Sequence, residues 1–222
     1  MIKAVSLFRR RQGMSVEDFQ NYWRTSHAEI VCRIPGIRRY VQSHTLLSGY
    51  RKRMPACDGV SELWFDDADA LVALRDSSEL RNTRADRAAF IDLTSYIEIV
   101  CEDVVIKGGT IPEGGVKNIE LAKKKTSLDA EAFHRHWADV HGPLAASIPQ
   151  IRRYVQSHTE AGGYLGEHLP ALDGVALTWF DDTAGMRAAA HTPEYAATRA
   201  DEVNFTTVPL EFVITTENVV IA

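Results

Sequence analysis

The chain repeats itself. Residues 37–45 return unchanged as residues 151–159, at an offset of 114, and residues 64–67 return as residues 179–182, at an offset of 115. All four tryptophans pair between the halves at these offsets. Self-similarity at a fixed period indicates a repeated structural unit. The sequence therefore predicts two diverged copies of one α+β domain in a single polypeptide.

The two copies meet in a stretch rich in glycine. Residues 107–115 contain four glycines and Pro112, a composition typical of linkers. We therefore expect a first domain over residues 1–107, a linker over residues 108–115 and a second domain over residues 116–222.

One repeat contains a recognisable series of elements. Ser15 is a typical helix N-cap, and Pro35-Gly36 ends the helix that follows it. Alternating and helical apolar spacings predict strand 2–9, helix 15–34, strand 37–47, strand 59–65, a helical region 68–89 that breaks near Ser77, and strand 95–106. The order βαββαβ predicts a ferredoxin-like α+β domain.

A sheet with helices on one face leaves its other face bare. Two copies in one chain can solve this by packing their sheets together as an intramolecular pseudo-dimeric α/β barrel. The space between the two sheets is then the expected pocket.

Composition excludes several classes of partner. The net charge of −5, without a basic run, argues against nucleic acid. No window approaches 18 apolar residues, so we expect no membrane span and a cytoplasmic protein. Cys32, Cys57 and Cys101 show no metal-ligand spacing, which favours reduced structural thiols.

The second strand of each repeat carries chemistry-bearing side chains. Alternation places Tyr40, Gln42 and His44 on one face and Ile37 with Val41 on the other. The aliphatic pair suits packing under the helices, so we expect Tyr40 and His44 to point into the inter-sheet cavity. Solvent exposure on a half-buried strand is the alternative interpretation.

A histidine ends the apolar face of the first helix in both copies. Histidine titrates near neutrality and can move protons, and tyrosine donates a hydrogen bond to a carbonyl or phenolate. A structural core histidine is the alternative. The candidate catalytic residues are His27, Tyr40 and His44, with His141, Tyr154 and His158 as their second-copy equivalents.

Other catalytic motifs are missing from the sequence. No glycine-rich phosphate loop follows a strand, and no serine nucleophile elbow occurs. No Cys-x-x-Cys, His-x-x-x-His or carboxylate cluster suggests a metal site. We therefore expect neither a metal nor a cofactor. Asp86 and Asp201 are interpreted as partners of local ion pairs or caps.

The residues above resemble the EthD family of the dimeric α/β-barrel superfamily, and the likeness covers nearly the whole chain, twice. The matching segments are 14–19, 22–24, 35–40, 42–44 and 64–67, with His27, Asp86 and Phe90, and in the second copy Phe133, Trp137, residues 141–144, Pro149, Tyr154, His158, Asp201 and Phe205. The pattern departs at Gly36, which is Gln150 in the second copy.

The resemblance implies a ferredoxin-like domain that pairs into a barrel and an association with degradation of ethers and aromatic compounds. The similar methylmuconolactone methylisomerases place a helix-end histidine and a strand tyrosine in the cavity. These positions match His27 and Tyr40, and His141 and Tyr154.

We therefore expect a small cofactor-independent catabolic enzyme, oxidoreductase- or isomerase-like, for a small phenolic, lactone or ether-derived molecule. A non-catalytic binding or accessory protein is the main alternative. Haem binding through His44 or His158 is a third. The expected partner is a small-molecule ligand, and a homodimer of pseudo-dimeric chains is compatible with the sequence.

Overall fold

The first repeat folds in the predicted order βαββαβ. The structure, a computed structural model, describes residues 1–51, 53–165 and 169–222. The elements are β1 (Ile2–Arg10), α1 (Val16–Tyr22), α2 (Ala28–Val31), β2 (Arg39–Thr45), β3 (Gly59–Phe65), α3 (Ala68–Leu74), α4 (Ser78–Phe90) and β4 (Ile91–Lys107). A π-helical turn, Trp23–His27, joins α1 to α2.

The second repeat has the same elements. They are β5 (Val116–Ala122), α5 (Ala130–His136), α6 (Gly142–Ala146), β6 (Arg153–Thr159), β7 (Gly174–Phe180), α7 (Thr183–Ala189), α8 (Pro193–Phe205) and β8 (Glu211–Ile221). A π-helical turn, Trp137–His141, joins α5 to α6. Segment 108–115 connects β4 to β5, and the predicted domain bounds on either side of it stay a prediction.

Short polar side chains set the helix starts. Ser15 accepts a hydrogen bond from the backbone N–H of Asp18, and Ser77 accepts one from Leu80 at the start of α4. Such caps satisfy backbone donors that the first helical turn leaves without partners. The break predicted near Ser77 is therefore confirmed, because Ser77 starts a new helix.

The strand order is β1-β3-β2-β8-β5-β7-β6-β4, and it closes. The predicted fold class, two fused ferredoxin-like repeats forming a pseudo-dimeric α/β barrel, is thereby confirmed. By backbone proximity the chain forms two compact units, residues 1–100 with 217–222 and residues 101–216. We call them the first unit and the second unit.

In the first unit, β3 pairs antiparallel with β1 and β2, with Val41 opposite Glu62. In the second unit, β7 pairs antiparallel with β5 and β6, with Val155 opposite Leu177. β5 also pairs with β8, and β6 pairs with the last part of β4.

The predicted direction of the β2 side chains is wrong. Tyr40 packs with Ala28, Val31 and Ile34, and His44 lies against the Trp23 ring, so this face covers the helices of its own unit. The large aromatic surface of tyrosine gains more from burial under the helices than the smaller aliphatic side chains would. Any site formed by Tyr40 therefore lies between sheet and helices.

In the part of the chain that the structure describes, no helix combines the length and apolar character needed to cross a membrane.

Candidate active site

The π-helical turn positions one histidine in each unit. His27 and His141 are the last residues of these turns, and both are buried. A π-turn adds a residue to the helical turn and occurs often at functional sites. His141 Nδ1 lies 3.2 Å from Asp201 Oδ2, and His27 Nδ1 lies 2.7 Å from Asp86 Oδ2.

The aspartates interact with further groups. His136 Nε2 lies 3.0 Å from Asp201 Oδ1, and the Tyr22 hydroxyl donates to Asp86 Oδ1 at 2.7 Å in the equivalent place. Asp86 and Asp201 therefore hold the histidine rings through contacts between residues 59 and 60 positions apart in sequence, and not through the local ion pairs or caps predicted for them.

Electrostatics favour a neutral imidazole at these positions. Burial lowers the pKa of His141 and of His27, and the neighbouring aspartate opposes that effect in each case. Burial alone would raise the pKa of Asp201, but hydrogen bonds from Asn204 and the two histidines outweigh it. With Nδ1 engaged by Asp201, the other ring nitrogen of His141, Nε2, is left to act as a base.

A buried tyrosine follows on the second strand of each unit. Gln156 Nε2 donates to the Tyr154 hydroxyl at 2.9 Å and to the Trp137 carbonyl at 2.8 Å. Burial raises the pKa of Tyr154, and hydrogen bonds from Gln156 and Trp137 oppose that rise. A hydroxyl that accepts a hydrogen bond can still donate its own proton to a second group, which makes Tyr154 a candidate hydrogen-bond donor.

His141 and Tyr154 line one cavity of about 270 Å³. The cavity lies within the second unit, between its sheet and the helices α6, α7 and α8. Its size is close to the lower end of ordinary ligand pockets. Much of its wall is apolar, including Ala145, Ile148, Ile151, Phe180, Met186, Ala189, Phe212 and Ile214.

Two carboxylates and two guanidinium groups lie in the same cavity wall, those of Glu120, Glu202, Arg187 and Arg199. Arg199 Nη1 is 2.6 Å from Glu202 Oε1 and 3.5 Å from Glu120 Oε1. The side chain of Glu202 is 3 % exposed. Burial is the largest cause that raises the pKa of Glu202 to about 7, and it also raises the pKa of Glu120.

The first unit carries larger side chains at equivalent positions. At the repeat offsets, Ala145 corresponds to Val31, Thr178 to Leu63 and Ala189 to Leu74. These larger residues belong to, or pack against, one hydrophobic cluster around Tyr40. Many residues in or against this first-unit cluster stand at positions that line the cavity in the second unit. They are Ala4, Val31, Ile34, Ile37, Tyr40, Leu63, Phe65, Leu71, Leu74 and Leu80.

His27 lines a different and much smaller space. It has a volume of about 30 Å³, which suits a single water molecule. Thr83, Arg87 and Tyr96 share its wall with His27, and Tyr40 and His44 do not. The structure therefore brings His141 and Tyr154 to one cavity, whereas the small space that His27 lines does not include Tyr40.

His44 and His158 occupy a third environment. His158 Nε2 lies 2.9 Å from Gln156 Oε1, and its ring stacks with those of Trp137 and His134. His44 Nε2 lies 3.1 Å from Gln42 Oε1. Burial lowers the pKa of each to about 3. Because Nε2 is already engaged in both residues, the arrangement fits poorly with an axial haem ligand.

His158 also faces an open groove of about 410 Å³ with His134, Glu102 and Glu160. The groove does not include His141 or Tyr154. Within the described residues, no group of three or more histidine, cysteine, aspartate or glutamate side chains could hold a metal ion.

Sequence reasoning missed Glu120, Tyr195, Arg199 and Glu202. The catalytic roles predicted for six residues stay predictions. A difference between the copies could have pointed to Glu120, Tyr195 and Glu202, whereas Arg199 matches Arg84 and carries no such signal. Glu120 stands where the first copy has Ser6, Tyr195 where it has Leu80 and Glu202 where it has Arg87.

Comparison with known proteins gives one family and a set of similar folds. The EthD domain model matches residues 11–94 and again residues 125–209. No curated protein matches the chain.

Among solved structures, an anthrone oxidase-like protein aligns over 99 % of this chain and 93 % of its own, with a TM-score of 0.70 and 11 % identity. A proposed monooxygenase from Lactobacillus acidophilus NCFM aligns over 98 % and 94 %, with a TM-score of 0.58 and 14 % identity. A proposed chlorite dismutase aligns over 97 % and 94 %, with a TM-score of 0.55 and 12 % identity. At these identities the likeness concerns the fold alone.

Proposed function

The chain belongs to the EthD family, and on that premise we propose that its second unit is a cofactor-independent enzyme acting on a small phenolic, lactone or other enolisable molecule. The reaction begins with proton removal by His141, and Tyr154 stabilises the resulting oxyanion. One observation carries the proposal: a histidine held by an aspartate and a buried tyrosine line the same molecule-sized, largely apolar cavity.

The proton moves from the ligand to His141 Nε2. The electron pair stays on the ligand as an enolate or phenolate, and the Tyr154 hydroxyl donates a hydrogen bond to its oxygen. Asp201 accepts from Nδ1 and stabilises the imidazolium that forms. Asp201 is a positioning residue, since it acts through His141.

The apolar wall selects the body of the ligand. Ile148, Ile151 and Phe180 offer aliphatic and aromatic surface, and burying such surface supplies most of the binding free energy of a small apolar ligand. The neighbours named as monooxygenase and anthrone oxidase-like support oxidoreductase-like small-molecule chemistry at the level of fold.

Hydrogen exchange tests the proposal directly. β-Tetralone, a small enolisable aromatic ketone, is incubated with the protein in D2O, and deuterium uptake at its α-carbons is followed by mass spectrometry. We expect the protein to accelerate uptake above the buffer rate. His141→Gln and Tyr154→Phe should each lower that acceleration by about 100-fold, in the range of a lost general base or proton donor.

The first unit supplies matched controls. His27→Gln and Tyr40→Phe make the same changes at the equivalent positions, and we expect them to keep the full exchange rate. Melting temperatures of all four variants show whether each is folded. Binding of β-tetralone without any exchange would replace this proposal with the binding-protein alternative. Loss of exchange in His27→Gln would move the site to the first unit.

Two further expectations belong with this function. We propose that the protein works in the cytoplasm, and that any homodimer forms between complete pseudo-dimeric chains. Light scattering reports whether a dimer forms, and a barrel built from halves of two different chains would contradict the second point.

A further inference from the structure

We propose that Glu202 is a second proton-transfer residue of the cavity, so that the second unit moves a proton from one position of its ligand to another and acts as an isomerase. The inference rests on the proposed function, because it adds a proton donor to the base at His141.

Glu202 is placed to reach the same ligand as His141. It follows Asp201 on α8, and both Glu202 and His141 line the 270 Å³ cavity. A cavity of that size encloses roughly one small molecule. A ligand that fills it therefore contacts the imidazole and the Glu202 carboxyl at different atoms.

The surroundings of Glu202 keep two protonation states accessible. Arg199 favours the carboxylate through a 2.6 Å contact, while burial and the charges of Glu120 and Asp201 favour the acid. These opposing effects bring the pKa of Glu202 to about 7, where a group can both give and take a proton. Arg199 is a positioning residue in this arrangement.

The first unit has no equivalent of this group. Arg87 stands at the position of Glu202 and contacts Glu98, with 3.5 Å between Nη2 and Oε2. Ser6 stands at the position of Glu120 and hydrogen-bonds Tyr96. An arginine cannot donate its proton near neutrality.

The proposed isomerisation balances without a further reactant. His141 Nε2 removes a proton from the carbon beside the ligand carbonyl, and the electron pair is delocalised into a dienolate held by Tyr154. Glu202, as the acid, then delivers its proton to the far carbon of the dienolate. The product is an isomer of the substrate, and a proton returns from His141 to Glu202 through solvent.

One probe separates the two proton transfers. A bicyclic β,γ-unsaturated ketone in D2O reports removal of the α-proton by deuterium uptake. It reports delivery to the γ-carbon by the ultraviolet absorbance of the conjugated product. We expect the natural protein to catalyse both. Glu202→Gln should keep α-exchange within about threefold and lower isomerisation by about 100-fold.

The control is Arg87→Gln, the same replacement at the equivalent position of the first unit, and both rates should be unchanged. Retained α-exchange in Glu202→Gln shows that the cavity is folded and that the ligand binds. If isomerisation survives in Glu202→Gln, or if α-exchange falls with it, Glu202 is not the donor. If the natural protein shows no α-exchange, the proposed function fails instead.

The pH profile gives a second readout. Arg199, Glu120, Asp201, Tyr195 and Tyr154 interact electrostatically with Glu202. His141 and Arg187 share its cavity wall. Isomerisation should fall as the pH rises above about 7, because the acid form of Glu202 is lost, while α-exchange should not fall there. Parallel profiles for the two reactions would overturn the assignment.

Discussion

The two units share a backbone plan and the same His–Asp and Tyr–Gln interactions, yet they differ in what surrounds them. Around Tyr40 the first unit packs Leu63, Leu74 and Leu80 into a hydrophobic cluster. Around Tyr154 the second unit places Thr178, Ala189 and Tyr195 at those positions and encloses a cavity. The space for a ligand is therefore set by a few side-chain volumes under a shared fold.

The comparison shows that a residue can be the same in both copies for a structural reason alone. His27 with Asp86 keeps its geometry, although the space that His27 lines among the described residues is only about 30 Å³. Its retention in the first unit is explained by the fold, because a buried histidine and aspartate left without partners would cost about 1–3 kcal/mol or more. Under the proposed function, the second unit differs from the first through residues that changed between the copies and now line its cavity, such as Glu202.

Filling the cavity should have the largest effect. The triple variant Ala145→Val, Thr178→Leu and Ala189→Leu gives the second unit the side chains of the first and leaves His141 and Tyr154 in place. Because the ligand would lose its space, we expect α-exchange of β-tetralone to fall by at least about 100-fold. The melting temperature should not fall, since the added groups occupy space already present.

An unchanged exchange rate in that folded triple variant would show that the ligand binds somewhere other than this cavity. Leu63→Val in the first unit serves as a control for core substitution, and we expect it to keep the exchange rate.

The converse change creates a cavity in the first unit. Leu74 is buried in the cluster around Tyr40, and Leu74→Ala installs the second-unit residue found at position 189. We expect a loss of about 2–5 kcal/mol in the free energy of unfolding, because a buried leucine leaves a cavity behind. Urea unfolding measures the change. A loss well below 1 kcal/mol would mean that the first unit is loosely packed here.

A third difference between the units depends on pH. The pKa of Glu202 is raised from 4.5 to about 7, so the folded protein holds this proton more tightly than the unfolded chain. The resulting stability is fully present below pH 4.5 and is lost as the pH rises through about 7. Glu202→Gln should therefore be more stable than the natural protein at about pH 8, by about 2–3 kcal/mol.

The difference in stability between Glu202→Gln and the natural protein should shrink toward zero as the pH falls to about 4.5, where the side chain at position 202 is uncharged in both folded proteins. Denaturant unfolding at both pH values measures it, with Arg87→Gln as the control that lacks this pH dependence. A Glu202→Gln variant that is less stable at about pH 8 would show that the ion pair with Arg199 outweighs burial.

The fold could be predicted from the sequence because its signals are local or repeated. Ser15 and Ser77 mark helix starts through their own caps, and the repeat offsets indicate two domains. The direction of Tyr40 could not be read in the same way. Alternation tells which residues share a face, but the tertiary packing decides which face meets the helices.

The candidate site could be predicted from the sequence only in part, for a similar reason. His141 and Tyr154 stood out because both copies retain them. Glu120 and Glu202 are not adjacent in sequence, and only the antiparallel sheet and α8 bring them to Arg199. Their contribution also depends on the absence of bulky neighbours at Ala145 and Ala189, which a pattern of charged residues does not reveal.

The smallest effect is expected where the units are alike. Arg38 with Asp66 and Arg152 with Asp181 form equivalent ion pairs before the helices α3 and α7, each with 2.5 Å between Nη2 and a carboxylate oxygen. The four side chains are about half exposed, so water screens the charges and competes for the same hydrogen bonds. Arg38→Ala and Arg152→Ala should therefore each leave the melting temperature and the exchange rate unchanged within error. Thermal unfolding at low and high salt measures this. A drop of several degrees for Arg152→Ala alone would mean that the asymmetry of the two units reaches beyond the cavity, into the strand-to-helix turn beside it.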